Sequence, residues 1–347
     1  MEVEVHRFRE SGSAAAAAIT GLLHSGAFPA PSNPFLAPIS IGHQMVARQG
    51  VLVHGTCDNG QILAAWTPRA PGIMQAVADD PFLAGSALTS PDLMDFLQKT
   101  RAALGGATLY LPHIAVNGIS WRLLRELDCR VPRWRRTAKS VIDWRPGNRN
   151  LWPRVCARDA FGPERKRRRF ERAAHTAVLP RSAAFATILE IERASWKAAV
   201  GTDLATFPGH APMYRAMVES GFADAVFALG NDGTPIAYRL DVSLGGKIFC
   251  LKSSFRASHR AISPGFYLLA VELARRYADA TETTIDLLGG PGPLKSLVSS
   301  ALVERYDAAF PAGEAAWTLR TERRAFDAER GSGWNAIENR QTTGEIV

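Results

Sequence analysis

The sequence predicts a mixed α/β protein with two domains, and three observations support that expectation. Asp58-Asn59-Gly60 and Asn231-Asp232-Gly233 each join two apolar runs, and such a turn between apolar runs is a strong hairpin signal. Segments with apolar residues at helical spacing follow each hairpin. The chain has 347 residues, more than one average domain, so two cores of ordinary size are expected.

Composition is typical of a globular protein and suggests an anionic partner. Hydrophobic residues make up 46% of the chain and charged residues 21%. The net charge is +8 and the pI is about 9.6, and clustered Lys and Arg side chains neutralise phosphates. A GC-rich genome also raises arginine content, so the net charge alone does not distinguish an anionic partner from an effect of genome composition.

Cysteine usage predicts a reduced, cytoplasmic protein without structural zinc, and neither a metal site nor a required cofactor is expected from the sequence as a whole. The cysteines are widely spaced, form no C-x-x-C pair and have no histidine at ligand spacing: Cys57, Cys129, Cys156 and Cys250. The apolar run 14–23 is too short for a membrane span and lacks the flanks of a signal peptide, which favours an amphipathic helix. The sequence contains no Ser-His-Asp spacing and no P-loop.

Residues 1–148 are expected to form the first domain. Four prolines exclude a regular helix over 27–40: Pro29, Pro31, Pro34 and Pro38. The expected elements are strand 3–8, helix 14–23, hairpin 50–69, helix 93–105, strand 107–115, helix 120–129 and strand 136–144.

Residues 149–330 are expected to form the second domain, and 331–347 a polar tail. The expected helices are 162–173, 184–201, 210–223, 266–278 and 296–311. The expected strands are 225–229, 236–244, 247–255, 284–288 and 315–323. Both halves follow a similar order of strands and helices, which hints at a duplicated fold.

The stretch 247–278 predicts an anion site. A strand, the turn Arg260-Ala-Ile-Ser-Pro-Gly265 and an apolar helix follow one another without interruption. Free backbone N–H groups and the helix dipole point to the same place at such a helix start, which favours a bound phosphate.

This order of elements resembles the GNAT superfamily of acyltransferases, in which R/Q-x-x-G-x-G/A before the helix binds the pyrophosphate of coenzyme A. It is most similar to the CelD/BioF2-like "acetyltransferase-like" branch, which is related to the Fem family. That branch carries a basic helix, an S-P-G helix start and a terminal element with Asp, Gly and Lys. In this sequence the basic helix is Arg165 to Arg172 and the helix start is Ser263 to Gly265. The terminal element is Asp286, Gly289 and Lys295. The resemblance implies two tandem GNAT-like domains, each with a mixed, mostly antiparallel sheet flanked by helices.

The resemblance also implies the donor, and here the sequence departs from the common pattern. Ser263 replaces a glycine, and Pro264 removes one N–H from the phosphate cradle. Fem-type enzymes take amino acids from charged tRNA, whose phosphate contacts are dispersed, and the basic run 162–173 points the same way. Aminoacyl-tRNA is therefore the expected donor, with acyl-CoA as the alternative.

The sequence also suggests which residues bind the donor. The expected donor-binding residues are Arg260, Ile262, Ser263, Gly265, Phe266, Arg239 and Lys252. The expected tRNA contacts are Arg165, Lys166, Arg167, Arg168, Arg169 and Arg172.

Amide formation requires an amine nucleophile, a path for its proton and a positive charge near the developing oxyanion. Lys295 is expected to supply that charge or to bind the terminal phosphate of the donor; the alternative is an exposed lysine on a loop. Asp286 could orient the acceptor amine or cap the turn that follows it. Tyr214 and His210, one helical turn apart, are candidate proton carriers.

Together these expectations describe an amide-forming acyltransferase that acts on a small-molecule amine, such as a natural-product or cell-envelope precursor. An alternative from another class is a non-catalytic module that binds RNA or polysaccharide. The oligomeric state does not follow from the sequence.

Overall fold

A single mixed sheet runs through the part of the chain that the computed structural model describes, namely residues 1–9, 11–25, 28–29, 31, 33–77, 81–158, 162–207 and 209–322. The expected tail 331–347 lies outside these residues. The strands are β1 Glu2–Arg7, β2 Val51–Cys57, β3 Gly60–Ala70, β4 Ile73–Ala76, β5 Phe82–Ala84, β6 Thr108–Ala115, β7 Arg133–Asp143, β8 Ala174–Ala177, β9 Asp224–Gly230, β10 Pro235–Leu244, β11 Lys247–Phe255, β12 Thr284–Asp286 and β13 Ala301–Phe310.

Helices cover both faces of the sheet. They are α1 Gly12–Ser25, α2 Pro38–Ala47, α3 Ser90–Ala103, α4 Ile119–Leu124, α5 Trp152–Arg158, α6 Pro163–Ala173, α7 Arg181–Arg193, α8 Trp196–Ala199, α9 His210–Glu219, α10 Pro264–Tyr267, α11 Leu273–Arg276 and α12 Pro293–Val298. A π-helical turn, Leu268–Glu272, joins α10 to α11 in one continuous helix. None of the helices described here combines the length and apolarity needed to cross a membrane.

The two halves of the chain repeat one topology. In the first half β1 to β4 pair antiparallel in sequence order, α3 follows, and β6 then lies parallel to β4. In the second half β8 to β11 pair antiparallel, the α10–α11 helix follows, and β12 lies parallel to β11. This repetition confirms the hint of a duplicated fold and the predicted mixed α/β class.

The halves exchange their last strands. β7, which ends the first half, lies antiparallel to β12 of the second half. β13, which ends the second half, lies antiparallel to β6 of the first half and also pairs with β7. Side chains of β7 therefore reach the second half-sheet, while the division of the chain at residue 148 stays a prediction.

Two predictions near the C-terminal end are wrong. Residues 301–310, expected within the helix 296–311, form strand β13, and a helix over residues 314–322 covers most of the expected strand 315–323. β13 lies between two other strands with Ala308 and Ala309 buried, so pairing on both edges overrides the local helix propensity. In the helical segment Ala316 and Leu319 are buried three residues apart, the spacing of one helix face.

A buried polar network joins the exchanged strands. The Tyr110 hydroxyl donates to Asp307 Oδ2 at 2.6 Å, and Arg136 donates to the same oxygen at 2.7 Å. The His113 backbone N–H donates to Asp307 Oδ1 at 2.8 Å. These bonds tie β6, β13 and β7 together at the junction of the halves.

We expect Tyr110→Phe to lower the free energy of unfolding by about 1.5–3 kcal/mol, because it removes a hydrogen bond to a charged acceptor. Tyr277→Phe is the matched control, since the Tyr277 hydroxyl is buried without a hydrogen-bond partner and its removal should change stability by less than about 0.5 kcal/mol. Urea unfolding of both variants measures the difference. Equal losses in the two variants would show that the Tyr110 bond contributes little.

Candidate active site

The second half-sheet opens between β11 and β12. These parallel strands pair only over Lys247–Phe249 and Thr284–Asp286, after which β12 ends while β11 continues to Phe255. The carboxyl end of a parallel strand pair is a common place for ligands in α/β sheets. Asp286, the last residue of β12, lies at this opening.

Asp286 and Lys295 belong to one cluster, which we call the Asp286 cluster and which also includes Lys139 and Gly289. Lys139 Nζ of β7 donates to Asp286 Oδ2 at 2.5 Å, and both side chains are buried. Lys295 Nζ donates to the carbonyl of Leu287, one residue beyond Asp286, at 2.7 Å. A Cβ atom at Gly289 would lie 2.4 Å from Lys295 Nζ, so a side chain at this position would displace the flexible end of Lys295. The structure thus brings together the Asp, Gly and Lys of the terminal sequence element.

Burial lowers the pKa of Lys295 to about 8. Cys250 and Asp286 nearby raise it, whereas the charges of Arg305 and Arg239 lower it. A substantial fraction of Lys295 therefore loses its proton in mildly alkaline solution, unlike an exposed lysine.

Arg239 lies in the interior rather than in an open cleft. Its Nε donates to Asp241 Oδ2 at 3.0 Å, and its terminal nitrogen contacts Cys250 Sγ. Because Asp241 already neutralises its charge, direct contact between Arg239 and a donor would require this pair to separate.

A second buried cluster, the Glu192 cluster, lies between α7, α8 and the sheet. The Tyr238 hydroxyl donates to Glu192 Oε1 at 2.7 Å, and the Leu204 backbone N–H donates to Oε2 at 3.0 Å. Lys197 Nζ and Lys252 Nζ lie 3.4 and 3.8 Å from the Glu192 carboxylate. Burial lowers the pKa of Lys197 to about 8, with Glu192 raising it and Lys252 and Lys295 lowering it.

His210 and Tyr214 lie beside the Glu192 cluster on α9. Their ring centroids are 6.2 Å apart. Burial lowers the pKa of His210 to about 4, and the charges of Arg48 and Lys252 add to this effect, so the imidazole is neutral at pH 7. Burial raises the pKa of Tyr214, so its hydroxyl keeps its proton. Helix α9 also packs against α2 of the first half, which places this pair at the junction of the halves.

The helix start at 260–266 has the expected anion-binding form, except that Pro264 has no N–H group to donate. Ser263 adopts the left-handed conformation, with φ 52° and ψ 51°, directly before the proline that begins α10. The first-turn N–H groups of Gly265 and Phe266 remain as donors. The side chain of Phe266 is buried, Ile262 is partly buried against the core, and Arg260 is exposed, so the backbone and Arg260 are what a donor would chiefly meet.

The basic helix α6 packs against this helix start. Arg169 donates to the Ala261 carbonyl at 2.9 Å, and Phe170 stacks on Tyr267 with ring centroids 3.9 Å apart. Some of its charges are already paired. Arg167 binds Glu164 and Glu171, Arg168 binds Glu164, and Lys166 lies over the Phe266 ring at 5.4 Å. Arg165 and Arg172 are exposed.

Sequence reasoning missed four polar residues of these clusters: Lys139, Glu192, Lys197 and Tyr238. The burial of Glu192 could have been predicted from the sequence, since it falls four residues after Ile188 on the apolar face of α7. The contact between Lys139 and Asp286 could not have been predicted, because the strand exchange joins residues that are 147 positions apart in the chain.

A comparison with protein families identifies the class of domain that carries these clusters. Residues 124–296 match a family model described as an acetyltransferase (GNAT) domain. The chain carries a GNAT acyltransferase domain. The matched span of this acyltransferase begins before β7 and ends after Lys295, so it contains both buried clusters and the basic helix. No curated protein matches the sequence.

Solved structures support the same fold. L-PGS from Bacillus licheniformis is 12% identical with a TM-score of 0.59, and the alignment covers 89% of this chain and 96% of that one. FemX is 11% identical with a TM-score of 0.58 and coverage of 90% and 99%. A tandem GNAT protein from the clavulanic acid biosynthesis pathway is 12% identical with a TM-score of 0.50 and coverage of 90% and 99%. These likenesses confirm the predicted tandem GNAT-like fold.

Proposed function

We propose that this acyltransferase moves an aminoacyl group from aminoacyl-tRNA to the amine of a small molecule. The observation that carries the proposal is the contact between α6 and the helix start, where Arg169 binds the Ala261 carbonyl. This contact makes the basic run and the anion-binding turn one continuous surface, which suits the dispersed phosphates of a nucleic acid. The fold likeness to FemX and L-PGS is consistent with a tRNA-dependent donor.

In the proposed reaction the acceptor amine attacks the carbonyl carbon of the aminoacyl ester. An amide bond forms, the ester bond breaks, and the ribose oxygen leaves as a hydroxyl after taking up a proton. Lys295 in its charged form would stabilise the oxyanion of the tetrahedral intermediate, and Asp286 would hold the incoming amine. A neutral Lys197 could accept the proton of the amine, since burial lowers its pKa to about 8.

Acyl-CoA is the second candidate donor, because the helix start still offers backbone N–H groups to its pyrophosphate. The N–H groups of Gly265 and Phe266 could bind a pyrophosphate, but the proline before them supplies no N–H group.

Transfer assays with purified protein, charged tRNA and acyl-CoA separate the two candidate donors. Transfer that requires charged tRNA and stops after ribonuclease treatment is expected, whereas transfer from acyl-CoA that survives ribonuclease would overturn the tRNA donor. If neither donor binds, a non-catalytic binding module becomes the better description.

A charge-reversal experiment tests whether α6 contacts the nucleic acid. We expect Arg165→Glu/Arg172→Glu to weaken tRNA binding and to reduce the slope of log K against log salt by about 2, roughly one unit for each lost phosphate contact. Arg7→Glu/Arg9→Glu, at the end of the edge strand β1 and two residues beyond it, is the matched control with the same change in net charge. Equal weakening in both double variants would mean that net charge, rather than α6, determines affinity.

A further inference from the structure

Three side chains with metal-ligand chemistry meet far from the acyltransferase clusters, on the edge strand of the first half. Glu4 and His6 are two residues apart on β1, so they project from the same face of that strand. His54 of β2 lies directly opposite Glu4 in the antiparallel ladder, which places it on the same face. We call this set the Glu4-His6-His54 cluster.

The distances within the cluster suit a shared ion. The ligand atoms of the three side chains all lie within 4.8 Å of one another. His6 Nε2 and Glu4 Oε2 are 3.6 Å apart, which is too long for a hydrogen bond. Two ligands of one tetrahedral zinc ion, with bonds of roughly 2.0–2.1 Å, lie about 3.3 Å apart, so small side-chain rotations would complete the site.

An independent observation points to a missing partner. The Nε2 atom of His6 is buried and has no hydrogen-bond partner, although a buried polar atom without one is costly. The ring of His54 is held at its edge by Phe28, with centroids 5.4 Å apart, and its Nε2 lies 3.4 Å from Thr56 Oγ1. An ion on His6 Nε2 would satisfy the buried atom and use a His54 ring whose orientation is already restricted.

We propose that Glu4, His6 and His54 bind a divalent transition-metal ion, Zn²⁺ by preference, which clamps the edge strand β1 to β2. Two imidazoles and one carboxylate form a ligand set that zinc accepts, with a fourth position left to water. β1 pairs with β2 alone and lies at one end of the sheet, whereas β11 and β12 lie in the other half. The ion therefore stabilises the fold and takes no part in acyl transfer.

Zinc titration of the metal-free full-length protein tests the site. We expect one equivalent of Zn²⁺ to bind, and Co²⁺ to give the visible absorption of a tetrahedral site. His54→Ala and Glu4→Gln should each weaken Zn²⁺ binding by about 10-fold or more, since even outer-shell changes at metal sites cost about 10–100-fold. His175→Ala, an exposed strand histidine at the opposite edge of the sheet, is the matched control and should bind Zn²⁺ normally.

Thermal unfolding gives a second readout that does not depend on activity. At Zn²⁺ concentrations about 100-fold above Kd, the melting temperature of the unmodified protein should rise by roughly 3–4 °C, and that of His54→Ala should not. Binding that is equal in His54→Ala, Glu4→Gln and the control would overturn the proposal, as would the absence of any Zn²⁺ binding. Binding that depends on these residues without a rise in melting temperature would overturn the clamping role.

Discussion

Asp286→Asn should lower amide formation by about 10²-fold, the order of loss when a reactant is misplaced, and the free energy of unfolding by about 3–5 kcal/mol. The catalytic loss is expected because asparagine cannot attract an acceptor amine as a carboxylate does. The stability loss is expected because the buried Lys139 ammonium loses its partner at 2.5 Å. Product formation with the donor that supports turnover and urea unfolding measure the two effects.

The double variant Asp286→Asn/Lys139→Met separates the two roles of Asp286. Removing both charges leaves no unpaired ammonium at this position, so stability should return to within about 1 kcal/mol of the unmodified protein. Activity should stay low if Asp286 acts on the acceptor. Recovery of activity together with stability would leave Asp286 two structural roles, neutralising Lys139 and accepting the Leu288 N–H at 2.9 Å.

The terminal sequence element could be recognised from the sequence because its parts are close in the chain. Asp286, Gly289 and Lys295 span a single strand end, turn and short helix, so local order places them together. The helix start at 260–266 is predictable for the same reason. Their roles in the reaction stay predictions, since geometry alone does not show what they bind.

The remaining features depend on contacts between distant parts of the chain. Lys139 reaches Asp286 only because β7 lies in the second half-sheet, and no local pattern encodes that exchange. The same exchange explains the error at 301–310, where pairing with β6 and β7 makes a strand of a segment with helical propensity. The Glu4-His6-His54 cluster likewise depends on the register of β1 and β2, which brings His54 to His6 and Glu4, 48 and 50 positions earlier in the chain.

Lys295→Met should lower amide formation by about 10²–10³-fold, the usual cost of removing one group that stabilises an oxyanion. Methionine keeps most of the length of the side chain beside Gly289, so the fold should persist. Lys99→Met, an exposed position in the first half, is the matched control and should leave the rate unchanged. A Lys295→Met variant as active as the control would exclude a role for this lysine in turnover.

The rate of amide formation should fall at high pH, because Lys295 stabilises the oxyanion only while it is protonated. Burial lowers its pKa to about 8, so the stabilising charge is present below pH 8 and is lost as the pH rises through that value. Because the guanidinium of Lys295→Arg stays charged, the fall in rate above pH 8 should disappear in that variant even if its maximal rate is lower. The pH dependence of Lys295 labelling by an amine-specific reagent, followed by peptide mass spectrometry, reports the same pKa without an acyl donor. A labelling midpoint near that of an ordinary lysine, about 10.4, would contradict the buried environment on which the role of Lys295 depends.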